Sequence, residues 1–156
     1  MACGTARPVP PATPPARQPL ALQARPRIQL TVIPAESDAY PKAAKALSAS
    51  LTGVHGAAIE GVDDTAVSKV SLEVAQLAIE CVDPTDACYA AIGHSMAANR
   101  LLFARIDPGG TRRQLKVTVM LYDVDAGAAR RKIAKIFPSE AAAVAGADAL
   151  VAEATQ

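Results

Sequence analysis

The chain has no tryptophan, and its 156 residues hold only two phenylalanines and three tyrosines. Little aromatic packing is therefore expected. Packing must rest on small and β-branched side chains, because apolar residues still make up 51 % of the sequence. Histidine occurs twice and cysteine three times. These counts exclude a disulfide-dense mini-scaffold and a multi-zinc module. No apolar run approaches the ~20 residues of a spanning helix, and no apolar signal-peptide core is present.

Acid is absent from residues 1–27, which carry Arg7, Arg17, Arg25 and Arg27 together with seven of the twelve prolines. Such a composition predicts an extended, semi-rigid tail and spacer over residues 1–27. Residues 28–156 are then expected to form a single domain. They carry 12 bases and 15 acids. The linear sequence shows no basic face in that domain, so nucleic acid is not an expected partner.

Element signals follow in order. Ile28 to Ala35 is a β-branched run closed by Pro34 and reads as a strand. Asp38 as N-cap, Pro41 in the first turn and Gly53 at the stop frame a helix. Val54 to Val62 reads as a weak strand or a loop. Val67, Val70, Val74, Leu77 and Cys81 recur at spacings of three and four, which predicts one helix over residues 63–82. Leu72 and Ile79 mark a second stripe on it. Thr85 or Asp86 caps the next helix after Pro84.

Arg100 to Ile106 reads as a strand, and Asp107 to Gln114 as a hairpin connection. From Leu115, apolar and polar residues alternate, the clearest strand signal in the chain. Asp125-Ala126-Gly127 turns it into a third strand, whose Arg130, Arg131 and Lys132 mark a sheet edge. Ser139 caps a last helix with Val144, Ala147, Val151 and Ala154 on its inner face. The expected fold class is α+β, a mixed α/β sandwich. It has one sheet with a C-terminal antiparallel meander, packed by about four helices.

Candidate chemistry is sparse. Cys88 and His94 lie six apart on one predicted helix, about 240° around its axis. They point to different sides, which argues against a thiol–imidazole pair. Cys81, Cys88 and His94 would give zinc three ligands at an unusual spacing, with no fourth. A disulfide accounts for Cys81 and Cys88 best. The Val82 to Ala87 loop joins two helix ends, a corner that can bring the two Cα atoms within bridging reach. Such a bond needs an oxidising compartment. Asp123 and Asp125 share a strand face and could hold a divalent metal or ligand, or simply close a hairpin.

Cys3 lies between Ala2 and Gly4, just before the proline-rich stretch. This resembles the end of a bacterial lipobox, and it predicts lipidation at Cys3 with the rest of the signal upstream of Met1. Further along, four features recur together. They are Val32-Ile33-Pro34, the Cys81 and Cys88 helix start, Ala97-Ala98-Asn99-Arg100-Leu101-Leu102, and Leu121-Tyr122-Asp123-Val124-Asp125-Ala126-Gly127. Over about residues 28–155 the chain resembles the TolB amino-terminal and CsgG-like modules of delta-proteobacterial (myxobacterial-type) envelope lipoproteins.

That resemblance implies a periplasmic, outer-membrane-tethered module that binds other envelope proteins. A lipid at Cys3 would link it to the membrane. It implies no catalytic residues, no metal and no cofactor, hence no enzyme. A small ligand-binding, metal-binding or enzymatic domain using Asp123 and Asp125 is the alternative. A cytoplasmic location is the alternative if all three cysteines are incidental thiols.

Overall fold

The computed structural model describes Met1, residues 25–81 and residues 83–156. Cys3 and most of the proline-rich tail lie outside the described residues. Five strands form one mixed sheet in the order β2-β1-β3-β4-β5. They are β1 (Gln29–Val32), β2 (Asp64–Val67), β3 (Arg100–Pro108), β4 (Leu115–Asp123) and β5 (Ala128–Phe137). β1 lies parallel to both β2 and β3, whereas β3, β4 and β5 form an antiparallel meander. Four α-helices pack on this sheet: α1 (Pro41–Thr52), α2 (Leu72–Ala78), α3 (Asp86–Ser95) and α4 (Glu140–Thr155). The fold is α+β, with one sheet and helices against it.

The alternation along β4 separates two cores. Leu115, Val117, Val119 and Leu121 face α1 and α4, and they join Leu30, Val32, Leu47, Leu51, Leu150 and Val151. Met120 and Tyr122 face the other way and meet Ile33, Leu72, Tyr89, Ile92 and Phe103 beneath α2 and α3. Three of the five aromatic side chains gather there. Tyr89 lies 4.9 Å from Phe103 and 5.6 Å from Tyr122, ring centre to ring centre. The aromatic poverty of the chain is thus concentrated at one place, under α3.

Two helices start where the sequence signals a cap. The Thr85 hydroxyl accepts from the Cys88 amide at 3.2 Å, and the Ser139 hydroxyl accepts from the Ala142 amide at 3.2 Å. At α1 the expected Asp38 cap is absent: Tyr40 occupies the N-cap, and the Ser37 hydroxyl accepts from its amide. Glu140 at the start of α4 accepts from the amides of Lys42 and Ala43. One carboxylate therefore ties the two helix starts together and faces the positive end of α1.

Of the two readings of residues 54–62, the structure holds the loop, with one short 3₁₀ turn, Gly56–Ala58. Two other expectations fail. Residues 63–82 do not form one helix. Their first part is β2, and the chain re-enters a helix only after Ser71, whose hydroxyl accepts from the Val74 amide. The seven-residue α2 buries Leu72 and Ala75, so the Leu72 stripe faces the core and the valine stripe faces out. On α4, Val144 is turned to solvent, while Ala143 and Leu150 join Ala147, Val151 and Ala154 inside.

Candidate functional site

Two corners of the fold carry the residues singled out by the sequence. At the first, Cys81 and Cys88 form a disulfide with their Cα atoms 5.7 Å apart. The local chain brings them together by helix termination. Glu80 takes a left-handed conformation, φ 57°, and the Cys81 amide donates back to the Gln76 carbonyl. This is the six-to-one closure of a helix C-terminus, made here without glycine. Asp83 and Pro84 then lead into the Thr85 cap, and α3 begins.

Cys88 is buried in the aromatic core, whereas His94 on the same helix is exposed. The thiol and the imidazole are therefore not brought together. The Tyr122 hydroxyl donates to the Asp86 carbonyl at 2.7 Å, which fixes the start of α3 to the centre of the sheet. The pKa of this phenol is raised, first by burial and then by the charges of Asp86 and Asp123 and by Tyr89.

The second corner holds Asp123 and Asp125, where β3 leaves α3 and β4 turns into β5. Arg100 Nη1 lies 2.7 Å from Asp123 Oδ1 and 3.8 Å from Asp125 Oδ2. Asp123 also accepts from the Ala126 amide at 2.9 Å, which closes the turn. Asn99 works in both directions. Its carbonyl oxygen accepts from the Gln29 amide at 2.9 Å, and its amide nitrogen donates to Asp125 at 3.1 Å. The Arg100 and Asp123 side chains are only 12 % and 14 % exposed, so their charges are largely withdrawn from water and compensated by each other.

The two carboxylates thus converge on a guanidinium. Among the described residues, no group of three or more histidine, cysteine, aspartate or glutamate side chains is arranged to hold a metal ion. Chemically, this corner ties the N-terminal end of β3 to β1 on one side and to the β4–β5 turn on the other.

The surface feature that sequence reading missed adjoins the first corner. Val67, Val70, Val74 and Leu77 are 50 %, 40 %, 47 % and 76 % exposed. They run from the outermost strand β2 onto the outer side of α2. A groove of about 480 Å³ at Leu77 is lined also by Glu73, Gln76, Glu80 and the disulfide residue Cys81. The helical spacing of these side chains was visible in the sequence, but it signals a core-facing stripe there. Only the break at β2 and the seven-residue length of α2 turn it outward.

No protein-family profile and no curated protein matches the chain. Among solved structures, a dodecameric PelC variant from Paraburkholderia phytofirmans is a distant likeness. It shows 19 % identity and a TM-score of 0.35, covering 84 % of this chain and 87 % of that chain.

Proposed function

We propose that the chain is a non-enzymatic protein-interaction domain of the cell envelope, held in the periplasm and tethered to the outer membrane by lipid at Cys3. Its interaction surface is the apolar patch of Val67, Val70, Val74 and Leu77. The observation that carries this reading is the patch itself. Four branched apolar side chains, on β2, on α2 and between them, stay in water beside the edge strand of the sheet, next to a disulfide that holds the end of α2. Large apolar side chains left exposed together mark contact sites for other proteins. The disulfide supports an oxidising compartment, and the resemblance to TolB-like and CsgG-like envelope modules points to the same place. Asp123 and Asp125 have no part in the reading, because Arg100 and Asn99 already engage both.

A photo-crosslinking amino acid at position 77, introduced in the native host, tests the proposal. The expected result is one discrete adduct with an envelope protein, lost when Val74→Asp is added to the same chain. Adducts no more abundant than those from a crosslinker at exposed Arg112 would overturn it. Leu77→Asp is expected to change stability by less than about 0.5 kcal/mol, as for exposed positions generally. Compartment is read separately. Complete alkylation of Cys81 and Cys88 in non-reduced host material would remove the periplasmic assignment.

A further inference from the structure

Charge is divided unevenly along the folded part of the chain. Residues 100–137 carry nine bases against three acids, while residues 28–99 carry three bases against nine acids. The basic stretch is the β3–β5 meander, and β5 is its outer strand. No strand of the described chain lies beyond β5, which pairs with β4 alone. Its ten residues therefore offer a long row of backbone donors and acceptors to an incoming strand.

The exposed side chains on that edge include Arg130, Lys132 and Lys135. Among the described residues, none of these three has a carboxylate within ion-pair distance. Lys132 sits opposite Met120, and Lys135 sits opposite Val117. The cations thus alternate between the two faces of the sheet. On the Met120 face they continue inward: Lys132 and Lys116 line a trough of about 580 Å³ with Thr118 in its wall, where Arg105 is already paired with Asp107 at 3.2 Å and Asp86 supplies a second carboxylate at the α3 end. On the Val117 face Lys135 lies 5.3 Å from the centre of the Phe137 ring.

A charge or two on an edge suffices to keep like copies from pairing. Cations on β5 left unpaired among the described residues, with a further one, Lys116, set back on β4, exceed that need. We propose that β5 takes up an extended acidic peptide of a partner protein as a sixth strand. Backbone hydrogen bonds would continue the ladder. Alternate carboxylates of the peptide would meet Lys132 and Lys116 on one face, and Lys135 on the other. A sulfated saccharide or a nucleic acid can satisfy the cations but cannot complete a ladder. The β2 edge of a second copy fits less well. It spans four residues, and its Asp64 and the preceding Asp63 are already paired with Arg27 and Arg25 at 3.7 Å and 2.6 Å. The proposal rests on the reading of the chain as a protein-binding domain. It uses a different surface, so either can fail while the other stands.

The test titrates the full chain with a short end-blocked peptide of alternating glutamate and valine, followed by calorimetry and by amide hydrogen exchange. The expected result is saturable binding with new protection at alternate amides of β5. Lys132→Glu/Lys135→Glu should weaken it by about tenfold or more while leaving the far-ultraviolet circular dichroism unchanged. Absence of saturable binding overturns the proposal, as does binding without β5 protection or binding unchanged in the double variant. A heparin oligosaccharide that reproduces the β5 protection would show that charge alone is read. Self-association of the chain abolished by Asp64→Lys would assign the edge to a second copy.

Discussion

Reduction of the Cys81–Cys88 bond has a calculable effect. The bond closes a loop with a sequence separation of 7, so the chain-entropy relation assigns it about 2.5 kcal/mol at room temperature. For a folded part of this size, 1 kcal/mol moves the melting midpoint by about 3–5 °C, so reduction should lower it by about 8–12 °C. The loss should also be uneven. α2 has only seven residues and buries just Leu72 and Ala75, too little to hold a helix that short on its own. The bond to Cys88, at the base of the aromatic core, supplies the remaining anchorage.

The assay is thermal unfolding with and without a phosphine reductant, paired with hydrogen exchange resolved by residue. Reduction is cleaner than substitution, because Cys88→Ala would also leave a cavity. Amides of α2 should lose protection well beyond the global change, while those of β3 and β4 should follow it. A midpoint shift below about 2 °C would refute the loop-closure reasoning. Equal loss of protection in α2 and β4 would refute the anchoring role.

Two further outcomes follow from the second corner and the central tyrosine. Arg100→Met strands the Asp123 carboxylate in a site only 14 % exposed, and should cost about 3 kcal/mol in urea unfolding. Adding Asp123→Asn should recover part of that loss, and no recovery would show that Arg100 acts through packing alone. Tyr122, whose pKa is raised mainly by burial, keeps its proton in the folded state at a pH where the unfolded chain has lost it. Stability from this group is complete below the ordinary phenol value of about 10 and declines as pH rises past it toward the folded value. The urea midpoint of Tyr122→Phe should therefore fall less steeply than that of the parent chain between about pH 9 and pH 11.

Much of the meander is legible in the sequence because its determinants are local. The alternation from Leu115 to Tyr122 places two faces, Asp125-Ala126-Gly127 places a turn, and Ser139 places a helix start. The disulfide corner is legible for the same reason, since Thr85 and Pro84 fix where α3 begins. β2 is not. Asp64-Thr65-Ala66-Val67 has no alternation of its own and becomes a strand by lying beside β1 in register with Gln29 to Val32. Without that non-local pairing, Val67 and Val70 merge by spacing with Val74 and Leu77 into a helix that does not exist. The role of Asp123 and Asp125 is hidden likewise, because their partner Arg100 lies on another strand and faces Asp123 only through the β3–β4 register. The cationic edge needs three strands aligned before Arg105, Lys116 and Lys132 become neighbours.

The sheet therefore has two halves of different ancestry along the chain. β3, β4 and β5 are joined by short connections, whereas β1 must find Asp64 on one side and Arg100 on the other. Closing those longer loops costs entropy before any contact repays it. The meander can assemble from its own neighbours while β1 waits for the chain to return twice. Loop closure alone therefore favours ordering of the segment that carries nine bases ahead of the segment that carries nine acids, while the net charge of the whole chain stays the same throughout.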